Sequence, residues 1–362
     1  MKENVKEKIG IITINDNNNY GNRLQNYALQ ETIRKLNFEV VSLKNVPTLN
    51  EKNKFFLRII KFVKDSCFNV CKKKTERNKC FESFNKNINI SKGYVTPYSI
   101  GLNKRYKAFF VGSDQVWNMK FNRMRDVDLL CFAEKSKRNS YAASFGVSEI
   151  SDKYFSIIEK ELKQFNSISV REDKGSEILK KITERDDVEV LVDPTMLLTA
   201  EEWDKVANKP LQLDDLEGKK YILNYFLGEL SEKRKEEIEK IAKENDCEII
   251  NILDSKSPFY QTGPSEFLYL EKNAFLICTD SFHSSVFAIL YNKPFIVFNR
   301  EDNVVNMNSR IETLINKFKL ENREFVGKIT NENLECDYTL AYKLLKEERE
   351  KANSFLKKSL NI

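Results

Sequence analysis

One histidine, His283, stands in a chain of 362 residues. With no second imidazole and no cysteine cluster, a metal could be held only by carboxylates, so neither a zinc site nor another bound metal is expected. The seven cysteines, at positions 67, 71, 80, 131, 247, 278 and 336, include no CxxC pair. That pattern reads as reduced thiols, and with them a cytoplasmic location. Nowhere do eighteen apolar residues run together, which excludes a membrane-spanning helix from the sequence pattern. The opening stretch MKENVKEKIGIITI offers a six-residue apolar run, too short for a signal-peptide core. No G-x-G-x-x-G follows the first strand candidate, there is no Walker A lysine, and no G-x-S-x-G elbow occurs. Dinucleotide, ATP and α/β-hydrolase readings therefore have nothing to rest on, and no cofactor is expected. The familiar nucleic-acid signatures are missing as well, so no nucleic-acid partner is expected.

What is present fits two soluble globular units. The chain is longer than one hydrophobic core usually organises, and it is 41% apolar and 31% charged. Its net charge of +6 is unevenly spread. Residues 51–80 hold ten Lys or Arg against three acids, a local excess of +7, and the remainder is close to neutral.

Short apolar runs of strand type alternate with amphipathic helical runs, the pattern of parallel α/β layers. The first half offers strands at 8–14, 38–43, 107–112, 139–144, 167–170 and 188–192. Between the first two, Leu24, Tyr27, Ala28, Ile33 and Leu36 trace the buried stripe of a helix over 22–36. A second set follows: strands at 221–227, 247–253, 274–279 and 294–298, with helices at 231–244 and 281–291. The stretch VANKPLQLDDLEGKK, residues 206–220, combines Pro, Gly and opposed charges with weak periodicity and serves as a linker. The expected division is a first Rossmann-like domain over 1–205, the linker 206–220, a second domain over 221–335 and a helix over 336–362 returning to the first domain. Open parallel sheets bind ligands outside their strand C-terminal edges, so the two should face each other across a cleft.

Six strand candidates run into short polar loops: NDNNNYGN, GSDQVWN, SFG, REDKG, DPT and DSFHSS. Taken singly, such residues are ordinary helix caps and turns. Capping does not require the added Gln115, Trp117 and Asn118, the Arg171–Glu172 pair, or His283. His283 falls in the first turn of its helix, where free backbone N–H groups and the helix dipole attract anions. Arg171 follows a strand and Arg310 opens a helix; guanidinium groups recognise phosphate and carboxylate as planar forks. For each arginine the plain alternative is a salt bridge.

The blocks IGIITINDNNNYGNRLQNYALQ, FFVGSDQVWN, RNSYAASFG, SVREDKG, VLVDPTMLLTAEEW, TDSFHSSVFAILYNKPFIVF and MNSRIETL, in this order over nearly the whole chain, resemble the polysaccharide pyruvyl transferase family. GSDQVWN and TDSFH are the most specific of them. The resemblance implies a GT-B-like architecture and transfer of a pyruvyl group from phosphoenolpyruvate to a sugar of a cell-surface glycan precursor, leaving a cyclic ketal. It implies His283 as general acid/base and Arg171 as a donor ligand. Ser281, Ser284, Ser285 and Arg310 complete the expected donor side. On the acceptor side stand Asn19, Gly21, Asn22, Gln25, Ser113, Asp114, Gln115, Trp117 and Asn118. Trp117 would stack on a pyranose face or, equally, fill a core. Family members often carry Gly after the histidine, where this chain has Ser284; either its Oγ touches the phosphate or the donor site differs.

The acceptor sugar would be nucleotide-linked or lipid-linked. In the basic segment, Phe56, Ile59, Ile60, Val63 and Cys67 recur at helical spacing. Such a helix either faces a core with a solvated side, the commoner arrangement, or rests peripherally on the inner face of an anionic membrane. Two other functions share the pattern: a GT-B-type glycosyltransferase using a nucleotide sugar, and a non-catalytic glycan- or anion-binding homologue.

Overall fold

Every strand pairing between the named strands is parallel. The structure, a computed structural model, describes residues 6–15, 18–45, 68–119, 124–216, 218–300 and 309–362, with the side chains of 68–74 outside the description. The first sheet, ordered β3-β2-β1-β4-β5, comprises β1 (Lys8–Ile12), β2 (Glu39–Asn45), β3 (Ile90–Val95), β4 (Ala108–Val111) and β5 (Arg138–Ser140). A short pair, β6 (Ser169–Val170) and β7 (Glu189–Val190), continues past β5 through the single bridges Asn139–Ser167 and Ala143–Val170. The second sheet, ordered β11-β10-β8-β9, comprises β8 (Lys220–Tyr225), β9 (Cys247–Asn251), β10 (Leu276–Thr279) and β11 (Phe295–Val297).

Helices of eight or more residues are α1 (Tyr20–Lys35), α2 (Phe68–Asn85), α3 (Phe155–Leu162), α4 (Asp173–Thr183), α5 (Glu232–Glu244), α6 (Pro264–Asn273), α7 (Phe282–Leu290), α8 (Ser309–Phe318) and α9 (Thr339–Leu360). Central strands such as β4, AFFV, are buried throughout, as strands covered by helices on both faces must be. The sequence pattern does not reveal β3 as an apolar run, because its ISKGYV leaves Lys92, Gly93 and Tyr94 exposed at the sheet edge.

The α1 stripe is buried at Leu24, Tyr27, Ala28 and Ile33, while Leu36 is the partly exposed C-cap. The helix starts two residues before the expected Asn22, because Asn19 Oδ1 caps it by accepting from Asn22 N at 3.2 Å. Its other apolar neighbours belong to the second half: Tyr20, Leu24, Phe81 and Phe84 share one core with Tyr225, Phe267 and Phe287. Residues 206–220 lead from Trp203 of this shared core into β8. α9 ties the two halves a second time. Near its start Ala341 and Leu345 join the shared core, and near its end Ala352, Phe355, Leu356 and Leu360 pack with Ile9, Ile11, Ile33 and Phe110 of the first half.

The apolar stripe of the basic segment, Phe56 to Cys67, lies outside the described residues. Within the described part, Arg77 is no solvated cation. It is buried, with its guanidinium over the Tyr20, Phe81 and Tyr260 rings at 4.5, 5.1 and 5.3 Å, and it donates to Thr262 O at 3.1 Å. Among the described residues no helix is long and apolar enough to cross a membrane.

Candidate active site

Strand order reverses beside β1 and β4 in the first sheet and beside β8 and β10 in the second, and these are the positions where parallel sheets open a crevice. The loops leaving those four strands meet. Ile14, Asn19, Asn22, Asp114 and Gln115 from the first half, and Leu227, Asp280, Ser281, Phe282, His283, Arg300, Arg310 and Ile311 from the second, line one cavity of about 210 Å³.

His283 sits in the first turn of α7, behind the N-cap Ser281, whose side chain makes no capping bond. The N–H groups of that turn have no intrahelical partner, so the turn presents donors to the cavity. The imidazole is buried. Among the described residues its Nε2 has no hydrogen-bond partner, and it lies 3.7 Å from Asp193 Oδ2. Its opposite edge meets Gly21 of α1 so closely that a Cβ on residue 21 would stand 2.0 Å from Nδ1. Glycine is required there for space, since α1 is an ordinary helix at that point.

Behind the histidine lies a closed charge network. Asp193, fully buried, accepts on Oδ1 from Thr195 N at 3.0 Å and Thr195 Oγ1 at 2.7 Å, and on Oδ2 from Ser113 Oγ at 2.8 Å and Arg171 Nη1 at 2.7 Å. Burial opposes its charge, but contact with His283, Arg171 and the Thr195 N–H prevails and holds the carboxyl well below the usual range. Asp114, with φ of 70°, accepts from Gln115 N at 2.8 Å and from Arg171 Nη2 at 3.2 Å. Its carboxyl is likewise lowered, burial being outweighed first by Arg171 and then by His283 and Arg310.

Two arginines stand at the cavity wall itself. Arg300 follows β11 and pairs through Nε with Asp280 Oδ2 at 2.9 Å. Asp280 also accepts from the Leu227 and Gly228 N–H groups at 2.7 and 2.8 Å, so it fastens the loop after β8. Arg310, in the first turn of α8, is 3.9 Å from Asp114 Oδ1, and its Nε makes no hydrogen bond. With the Gln115 amide oxygen turned toward it, Arg310 donates at 3.0 and 3.1 Å. Burial and then the neighbouring Arg171 push its pKa down to about 10, which still leaves it charged at neutral pH.

Of the residues singled out in the sequence, His283, Ser281, Arg310, Asn19, Asn22, Asp114 and Gln115 line the cavity, and Gly21 touches the histidine. Others do not reach it, and the reasons are physical. Arg171 is held behind the wall by two carboxylates, with its guanidinium 4.6 Å from the Phe282 ring centre. Ser284 points the other way: its Oγ donates to Glu271 of α6 at 2.5 Å, so it faces no donor phosphate. Ser285 Oγ donates to Ser281 O within the helix at 3.1 Å. Gln25 bridges Thr13 Oγ1 at 2.8 Å and Ser113 N at 3.0 Å in a buried network. Ser113 itself is spent on Asp193 and Ala142 O. Trp117 is fully buried, donates to Asp128 O at 3.0 Å and packs on Phe145 and Phe165, so it fills a core and does not stack on a ligand. Asn118 is buried, with its amide against that of Gln115.

Sequence reasoning passes over Asp280, Arg300 and Asp193 as site residues. Asp280 and Asp193 stand inside loops already noted, and Arg300 ends the strand PFIVFNR, a seventh strand end that the same rule covers. Among the described residues no group of three or more His, Cys, Asp or Glu side chains gathers as a metal site requires.

The family described as polysaccharide pyruvyl transferase matches residues 19–303. No curated protein matches. Among solved structures, a glycosyltransferase from Rickettsia africae is 11% identical with a TM-score of 0.47, the match covering 98% of this chain and 96% of that one. The MnaA protein of S. aureus, solved with UDP, is 14% identical with a TM-score of 0.46, covering 96% of this chain and 90% of that one.

Proposed function

The chain belongs to the polysaccharide pyruvyl transferase family, and from that premise we propose that it transfers a pyruvyl group from phosphoenolpyruvate to hydroxyls of a sugar in a cell-surface polysaccharide precursor, closing a ketal. The observation that carries this reading is the meeting of His283, the open first turn of α7 and Arg310 in a single cavity of about 210 Å³. Pockets for drug-sized ligands run to about 300–1,000 Å³, so this volume suits a small, dense acid.

The chemistry follows from those groups. His283, protonated, gives its proton to the methylene carbon of phosphoenolpyruvate, and the neighbouring carbon becomes oxocarbenium-like. A sugar hydroxyl adds to that carbon and its proton returns to the imidazole. The C–O bond to phosphate then breaks, phosphate leaves with the bonding electrons, and a second hydroxyl closes the ketal as its proton passes to the departing phosphate. Arg310 and the N–H groups of the α7 turn face the phosphate or carboxylate charge, in a buried site where such contacts are strong. Asn19 and Asn22, which line the cavity from the first half of the chain, offer amides to sugar hydroxyls.

Phosphate release from phosphoenolpyruvate, measured with a panel of soluble sugar acceptors, tests the reading. Release should depend on the acceptor, and His283→Ala should cut it by about a hundredfold or more, the scale of general acid catalysis. Near-normal turnover in that variant would remove His283 from the mechanism. Binding of nucleotide sugars without binding of phosphoenolpyruvate would transfer the protein to the glycosyltransferases.

A further inference from the structure

We propose that Asp193 is the positioning residue of His283: it turns Nε2 toward its own carboxylate and leaves Nδ1 as the nitrogen that handles the proton. The proposal rests on the reading of His283 as the acid of the reaction.

Several groups face the imidazole: Asp193 and Asp114 from the loops after β7 and β4, Arg171 from the loop after β6, Gly21 from α1, and Phe282 edge-on at 5.2 Å from its own helix. Arg171 is a donor, with Nη1 and Nη2 turned to two carboxylates, so it offers nothing to a ring N–H. Asp193 Oδ2 stands 3.7 Å from Nε2, a buried nitrogen with no hydrogen bond. A buried ring N–H is stabilised where an acceptor faces it, and the acceptor here is ionised. The carboxylate is also immobile, since Thr195, Ser113 and Arg171 together fix both its oxygens. The distance exceeds a hydrogen bond, but catalytic hydrogen bonds are often long in the free enzyme and tighten in the complex.

On the opposite edge, Nδ1 and Cε1 would meet a Cβ of residue 21 at 2.0 and 2.4 Å, so only a glycine lets the ring sit this way round. Gly21 lies between Asn19 and Asn22, both of which line the cavity. The histidine belongs to the second half of the molecule, yet both residues that set its orientation belong to the first.

Because the chain has one histidine, protein labelled with 15N-histidine gives a single imidazole spin system. In the native protein, at a pH where the ring is neutral, the proton should reside on Nε2. In Asp193→Asn that preference should be lost, while kcat falls about a hundredfold and KM for phosphoenolpyruvate changes by less than about threefold, the signature of lost orientation without lost binding. A native ring protonated on Nδ1, or an Asp193→Asn spectrum unchanged from native, overturns the proposal. If the variant does not fold, the native tautomer alone decides. The spectrum needs no substrate, so it reports the state of the ring even where phosphoenolpyruvate turns out not to be the donor.

Discussion

Arg171 and Arg310 are both buried, both lie near Asp114, and differ in how their charge is matched. Arg171 has a carboxylate at 2.7 Å and another at 3.2 Å, and its pKa is raised because Asp193 and Asp114 more than offset burial. Among the described residues Arg310 has its nearest carboxylate at 3.9 Å, and its pKa falls to about 10. The same residue type therefore does two jobs within one site. Arg171 closes a structural network, whereas Arg310 carries charge that an anionic ligand at the cavity wall can complement.

The largest expected effect is on the paired member. Arg171→Met strands two buried carboxylates and should destabilise the fold by about 3–5 kcal/mol, the cost of removing one partner from a buried ion pair. Thermal or urea unfolding would show it. A variant as stable as the native protein would mean that the Asp114–Arg171–Asp193 network contributes little to folding.

Arg310→Met should behave in the opposite sense. Among the described residues no carboxylate pairs with Arg310 at short range, and an apolar replacement for an incompletely paired buried charge is often neutral or stabilising. Affinity for phosphoenolpyruvate should instead weaken about ten- to a hundredfold, matching the roughly 1.5–3 kcal/mol of hydrogen bonds to a charged group. Calorimetric titration separates the outcomes. Unchanged affinity would remove Arg310 from the donor side and erase the contrast between the two arginines.

That contrast lies beyond the reach of the sequence. Alternating apolar runs and polar strand ends suffice to locate two parallel sheets, the start of α7 and most of the cavity loops. They suffice because buried parallel strands must be apolar throughout and because ligand loops leave their C-terminal ends. What a linear pattern does not encode is the direction in which a side chain leaves a loop. Trp117 and Gln115 are two residues apart, yet one fills a core and the other lines the cavity. His283 and Ser284 are adjacent on a helix and so diverge by about 100°, one toward the cleft and one toward α6. Arg171 has the sequence setting of a phosphate ligand, but Asp193 and Asp114, far from it along the chain, occupy its guanidinium.

Glu271 carries the comparison to a buried acid with no cation beside it among the described residues. It is fully buried; Ser284 Oγ meets Oε1 at 2.5 Å, and Oε2 has no hydrogen bond. Burial raises its pKa well above the usual glutamate value, with the Ser284 hydrogen bond a weaker opposing influence. The folded state therefore binds this proton more tightly than the unfolded chain does. The associated stability is fully present below the unfolded pKa of about 4.3 and is lost as pH rises toward the folded value. Glu271→Gln keeps an acceptor for Ser284 and has no proton to lose. Its stability should gain on the native protein as pH is raised through the range above about 5, with the other titrating groups cancelling in the difference. Unfolding midpoints taken across that range decide the matter: parallel profiles would mean that Glu271 stays charged in the fold, and that Ser284 serves a carboxylate and not a neutral acid.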